Sequence, residues 1–254
     1  MTEHSQKKLI KFNMYASCIL LSFFVIMLVA TTIAYFTVNK EVRSTFVSGN
    51  VELVLSEAAV KADAAGNYVA DPDSPPIIGT ADSTIHDYGK VYPGQSIFKN
   101  PTVTNTGDNA EWIAVKVILT DGAGDLTKVI GYEGYEDIDI ELLLSGGLLD
   151  ETVHFGTWNG IEDVCHNDRY AMIQKANEAD GIYEFYFLML QPLQPEETVT
   201  VFDHITFPAE WNNSEMQELA ELKIQVQAFG VQTSGLNSCL GAMTAAFPEH
   251  FHFS

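Results

Sequence analysis

Past residue 45 the chain alternates apolar and polar positions with period two, the pattern of strands that bury one face. In Glu111-Trp112-Ile113-Ala114-Val115-Lys116-Val117-Ile118-Leu119 the odd positions from Ile113 to Leu119 are all apolar, and Lys116 points to the opposite side. Leu222-Lys223-Ile224-Gln225-Val226-Gln227-Ala228 alternates throughout, and Asp137-Ile138-Asp139-Ile140-Glu141-Leu142 does so with carboxylates on its wet face. Further strands are predicted at 46–55, 97–104, 152–158, 182–190 and 198–206. Turn signals such as Tyr92-Pro93-Gly94-Gln95 and Asn105-Thr106-Gly107-Asp108-Asn109 separate some of them. About eight short antiparallel strands with few helices imply two packed sheets, an all-β jelly-roll-like or immunoglobulin-like sandwich.

Two segments depart from the alternation. Asp168 to Ala179 has helical composition, with Asn167 or Asp168 as its cap, and Ser214-Glu215-Met216-Gln217 fits a capping box led by Ser214. Both are expected as short helices inserted between strands. Residues 58–84, rich in Ala, Asp, Gly and Pro, are expected as a long surface loop. The tail from Ala245 to Ser254 has three phenylalanines and two histidines but no period, and the pattern assigns it nowhere.

The N-terminus has a different character. Lys7, Lys8 and Lys11 precede an uncharged apolar run from Ile19 to Ala34. A basic region, an apolar core and a small residue at its end are the parts of a secretory signal peptide. The expected cut falls between Ala34 and Tyr35, with Thr32 at the −3 position. The alternative is a retained anchor, because the apolar stretch continues through Tyr35-Phe36-Thr37-Val38 and a bilayer span needs roughly 20 such residues. The domain division is therefore a signal peptide at 1–34, a mature N-terminal segment at 35–48 and a β-sandwich at 49–254.

The 254 residues carry 13 basic and 34 acidic side chains, a formal charge of −21. Such acidity argues against a nucleic-acid partner, which needs a cationic footprint. It suits an exported, self-repelling protein or one that attracts divalent cations. Of the three cysteines, Cys165 and Cys239 lie beyond the apolar segment, and a disulfide between them or free thiols are expected in preference to catalysis.

Candidate chemistry is sparse. The histidines His4, His86, His154, His166, His204, His250 and His252 form no His-Glu-x-x-His. His250-x-His252 would point two imidazoles to one side of a strand. Cys165-His166 suggests a thiol nucleophile, yet neighbouring strand residues point apart and no third-residue signature accompanies them. Asp137, Asp139 and Glu141 offer hard oxygens from one strand face, and Asp121 and Asp125 sit in a glycine-containing loop. These make calcium the one cofactor to weigh, with solvation of an outer face as the simpler reading. No phosphate-cradling Gly-x-x-x-x-Gly-Lys and no Gly-x-Ser-x-Gly elbow occurs. No catalytic residue, cofactor ligand or metal ligand is assigned.

Three stretches together resemble the TasA/camelysin family. They are Ala34-Tyr35-Phe36 with Ser44-Thr45-Phe46-Val47-Ser48-Gly49-Asn50-Val51-Glu52-Leu53; the run from Tyr92-Pro93-Gly94 through Asn105-Thr106-Gly107 to Ile113-Ala114-Val115-Lys116-Val117; and Leu222 to Gln232. Residues 120–180 match nothing quotable from it. The resemblance implies a secreted protein of a Gram-positive-type bacterium, processed by a SipW-type signal peptidase. It would be a jelly-roll subunit of biofilm-matrix or cell-surface fibres, with itself and other matrix proteins as partners. The implied assembly donates the mature N-terminal segment to the next subunit, with Tyr35, Phe36, Val38, Val42 and Phe46 as the donor-strand side chains. Independently, such a β-prone apolar segment carries a cost when exposed, and an open sheet edge accepts it through main-chain hydrogen bonds. Pairing within its own chain is the alternative. A camelysin-like metalloendopeptidase and a surface adhesin or carbohydrate-binding module, with Trp112, Trp158 or Trp211 as sugar platforms, are the competing functions.

Overall fold

A computed structural model describes residues 37–40 (as backbone), 51–79, 91–120, 126–131, 139–177, 181–219 and 222–253. The chain divides into two units, residues 1–37 and 38–254. Of the first, only Thr37 is among the described residues.

The second unit is all-β. In chain order its early strands are β1 (Thr37–Lys40, starting at the unit boundary), β2 (Leu53–Glu57), β3 (Val60–Ala62), β4 (Tyr68–Ala70), β5 (Ile77–Ile78) and β6 (Ser96–Phe98). Then come β7 (Thr102–Asn105), β8 (Glu111–Thr120), β9 (Leu144–Ser145), β10 (His154–Trp158), β11 (Ile161–His166) and β12 (Tyr170–Asn177). The last are β13 (Ile182–Met189), β14 (Thr198–Thr200), β15 (His204–Thr206) and β16 (Lys223–Gln232). Short helices α1 (Thr127–Ile130), α2 (Asn213–Glu218) and α3 (Cys239–Ala246) interrupt or follow them.

Seven strands form one sheet in the order β1-β16-β8-β13-β12-β11-β10. Opposite it stand a four-stranded sheet, β14-β7-β2-β5, and a five-stranded one, β3-β4-β6-β15-β9. From β2 to β16 the strands pair antiparallel, except β4 with β6. The first core lies between the layers. Leu53, Val103 and Val199 from one small sheet and Ile97, Leu144 and Ile205 from the other meet Ile113, Val115, Val117, Phe185 and Phe187 of the large sheet. The predicted antiparallel sandwich is thus present.

Two predicted strands are each two strands, for one reason. Pro101 cannot donate a ladder hydrogen bond, so the stretch 97–104 breaks at Lys99-Asn100-Pro101. The stretch 198–206 breaks at the facing position. Before the break β6 pairs with β15, and beyond it β7 pairs with β14. The amide of Lys99 donates to the Asp203 carbonyl (2.9 Å) and that of Val201 to the Pro101 carbonyl (3.3 Å), so both chains turn the same corner from one small sheet to the other.

Four expectations need correction. The helix over 168–179 is β12, whose eight residues pair in register with β13 from Tyr170↔Met189 to Asn177↔Ile182. Ala, Gln, Lys and Met favour a helix weakly, and burial of Tyr170, Ala171 and Ile173 in the sheet overrides that preference. Asn167 caps no helix: its side chain accepts from the amides of Arg169 (2.8 Å) and Tyr170 (3.0 Å), shaping the β11–β12 turn. The strand expected at 137–142 is, over Ile140–Leu142, a 3₁₀ turn begun by Asp139, whose carboxylate accepts from the Glu141 amide (3.0 Å); Asp137 and Ile138 lie outside the described residues. The capping box belongs to Asn212 and Glu215, not to Ser214 and Gln217: Asn212 Oδ1 accepts from the Ser214 amide (2.7 Å), and Glu215 Oε2 accepts from the Asn212 amide (2.6 Å). Within 58–84, the expected loop holds β3, β4 and β5.

The tail has a place after all. Helix α3, capped by Ser238 Oγ on the Gly241 amide (3.2 Å), and the residues after it cover the outer face of the large sheet. A second core forms there from Trp112, Ala114, Tyr186, Leu188, Phe229 and Val231 against Ala242, Met243, Phe247 and Phe251. Strand β8 is therefore buried on both faces, continuously from Glu111 to Val117.

Candidate assembly surface

Both faces of the large sheet are covered around β8, and its two edges lie away from that region. Strand β1 forms one edge, beside β16. Along β16 the first half, Lys223 to Val226, alternates exposed with half-buried residues, and Ala228 to Val231 is buried. Ile224 and Val226 pack on the first core. Gly230 permits the tight approach to the opposing sheet: a Cβ there would sit 2.6 Å from Leu53 Cδ1 and 2.9 Å from Glu111 Oε2.

Strand β10 forms the other edge. It is joined to β11 by Asn159-Gly160, both with positive φ (50° and 83°), as a two-residue hairpin turn requires. Its register slips between Gly156 and Trp158, a bulge of the kind that blunts sheet edges. Phe155 on this strand is 71% exposed, the most exposed large apolar side chain among the described residues.

The residues predicted to matter fare unequally. Ala34, Tyr35, Phe36, Val42 and Phe46, and with them the cleavage site, lie outside the described residues; Val38 is described only as part of the backbone of β1. Asp121 and Asp125 also lie outside. Trp112 is buried, with Nε1 donating to the Leu236 carbonyl (3.1 Å), which removes it as a sugar platform. Trp158 and Trp211 are partly buried against the second and first cores.

Of the two readings open for Cys165 and Cys239, a disulfide or free thiols, the structure has both as free thiols. Alternation along β11 explains this. Val164 faces the second core, so Cys165 faces the other side, whereas Cys239 lies within the second core with Sγ donating to the Ile113 carbonyl (3.2 Å). A sheet stands between the two sulfurs. Burial, helped by the charges of Glu141 and Asp139, pushes the Cys165 thiol up, and burial alone does so for Cys239. Raised thiols hold little thiolate at neutral pH, and His166 points away from Cys165, so the pair has neither activation nor geometry for nucleophilic chemistry.

Sequence reasoning missed a polar cluster under the tail. Lys116 pairs with Glu184, and Tyr186 donates its hydroxyl to the other Glu184 oxygen (2.5 Å). Lys116 and Lys175 both approach the Tyr186 ring, at 5.1 and 5.4 Å from its centroid. Lys175 also lies 4.4 Å from the Phe253 ring centre and donates to the His252 carbonyl, tying the tail down. Burial pushes the Glu184 carboxyl up, but the bonds from Lys116 and Tyr186 and the charges of both lysines outweigh it and hold the group below its usual range. The signal was present as Lys116 and Glu184, each a charge flanked by apolar residues within its strand, but only the register of β8 with β13 brings them together.

Among the described residues no three His, Cys, Asp or Glu side chains gather as a metal-holding group, and no helix is long and apolar enough to cross a membrane. What the fold defines is an all-β protein of antiparallel sheets with short inserted helices. No protein-family model, curated protein or solved structure matches the chain.

Proposed function

We propose that this chain is a secreted structural subunit of extracellular matrix or cell-surface fibres, freed by a SipW-type signal peptidase and polymerising by donation of its mature N-terminal segment, Tyr35 to Ser48. One observation carries the reading: β1, drawn from that segment, occupies an edge position beside β16. A segment that pairs with β16 of its own chain carries the right main-chain and side-chain pattern to pair with β16 of a second chain. Exchange between identical chains replaces each contact by its equivalent, and so costs little.

Ten residues separate Lys40 from Val51, and extended they reach at most about 35 Å, enough to carry β1 onto a neighbour. Donor and acceptor are different surfaces of the chain, so the contact is heterologous and grows open-ended filaments. A signal peptide left in place would hold the donor segment at the membrane, making cleavage the trigger. The acidity of the chain, −21 overall, keeps free subunits apart by repulsion before exchange.

Negative-stain microscopy of chains beginning at Tyr35 and at Gly49 tests the reading. Filaments from the longer chain alone, blocked by excess free peptide 35–48, are expected. Monomers from both chains would overturn it and move the assignment to an adhesin or accessory protein.

A further inference from the structure

The β10 edge carries a second feature, unrelated to strand exchange. His154 and His166 are direct cross-strand partners in the β10–β11 register. Their rings lie 6.3 Å apart between centroids, at an interplanar angle of 61°. Residues opposite each other in an antiparallel pair have Cβ atoms about 4.5–5.5 Å apart, so both imidazoles rise from one face at chelating range. His154 is exposed and His166 half-buried. The room around them lies on the β10 side. The next residue across the sheet from His166 is Ala171, which is buried in the second core. Two positions along β10, Gly156 has no side chain, and nothing lies within 4 Å of where its Cβ would stand. Arg169, on the following turn, is engaged by Glu151.

We propose that His154 and His166 form a bidentate site for a divalent transition-metal ion of the zinc, copper or nickel class. Imidazole nitrogens bind zinc at about 2.0–2.1 Å, and a tetrahedral ion held by two of them sets the ring centroids about 5 Å apart. The observed separation closes to that value by about 1 Å of side-chain rotation, which an exposed imidazole on an edge strand makes readily. Among the described residues no third His, Cys, Asp or Glu completes the group, so water or a ligand from outside would supply the remaining coordination positions. Calcium and magnesium, which want several hard oxygens, are refused. The strong negative charge of the chain raises the local concentration of any divalent ion.

Isothermal titration of the untagged chain with Zn2+, and separately with Ca2+, tests the site. One Zn2+ per chain is expected at this position, weakened about tenfold or more in His154→Ala and in His166→Ala through loss of the chelate. His250→Ala/His252→Ala is expected to retain it. Diethylpyrocarbonate footprinting of the wild-type chain keeps the test independent of variant folding: Zn2+ should protect His154 and His166 together. Unchanged Zn2+ binding in both single variants, or Zn2+ protection of neither ring, would overturn the assignment.

Discussion

Replacing Phe251 by alanine tests whether the C-terminal tail is part of the fold or an appendage. Phe251 is completely buried. Its ring meets Phe229 edge-on at 4.9 Å and Tyr186 at 5.5 Å, with Phe247 and Phe253 at 6.4 and 6.3 Å. Truncating a buried phenylalanine removes its transfer free energy and leaves a cavity, together about 3–5 kcal/mol. In a domain of this size each kcal/mol lowers Tm by about 2–4 °C, so the expected drop is roughly 6–20 °C. Thermal melting followed by near-ultraviolet circular dichroism measures it, because the lost contacts are aromatic. The internal comparison is Phe155→Ala, at 71% exposure, which should stay within about 0.5 kcal/mol of the parent. Equal Tm values for the two variants would refute the second core and return the tail to solvent.

Lys116→Met removes the cation that faces Glu184 and should cost about 1–3 kcal/mol, less than a fully buried pair because Glu184 is 26% exposed; urea denaturation reads it, and a change below 0.5 kcal/mol would contradict the pairing. The Glu184 carboxyl is held low in the fold, so the unfolded chain binds its proton first, and the stability from this group is present above about pH 4.3 and lost as pH falls through the folded value. Tm measured against pH should show that acid loss in the parent and a smaller one in Lys116→Met. Tyr170 behaves in the opposite sense. Burial, then Glu151, Glu141 and Cys165, pushes its phenol up to about 12, so its contribution is intact below pH 10 and disappears as pH rises toward 12; absorbance at 295 nm should record this late ionisation, and normal titration of every tyrosine would exclude it. Alkylation in denaturant without reductant should label the Cys165 and Cys239 peptides fully, and a linked peptide pair in mass spectrometry would contradict their placement on opposite faces.

The alternation of β8 and β16 was readable because one face of each meets a continuous apolar layer. In β8 the even positions misled. Trp112 and Ala114 belong to the second core, and a strand buried on both sides has no wet face for the pattern to report. The helix expected at 168–179 failed because local composition cannot see the eight partners that β13 supplies. The tail was unreadable for the same reason: Phe247, Phe251 and Phe253 follow a helix end and irregular backbone, whose spacing has no period, and they are organised only by Phe229 and Tyr186 beneath them. A hairpin signal was overlooked, since Asn159-Gly160 between two β-prone runs announces β10 and β11 directly. The His154–His166 pair follows from that hairpin and from nothing shorter in range, as eleven residues separate them.

The same burial pattern limits how this sheet meets a partner. A one-sided sheet offers a face, recognised through side chains. In this protein the inner face of the seven-stranded sheet meets two smaller sheets and the outer face meets α3 and the tail. Contact through either face around β8 would first require an element worth several kcal/mol to leave, as the Phe251 cost illustrates. An edge needs no such departure, because its unpaired amides and carbonyls already face outward. One edge is held by four residues, Thr37–Lys40, a short strand. The other is bulged and carries Phe155 and the imidazole pair, which suits a side-chain ligand better than a long added strand. The two proposals thus use different edges of the sheet, and substitutions at His154 or His166 should leave filament growth unchanged while deletion of 35–48 leaves Zn2+ binding unchanged.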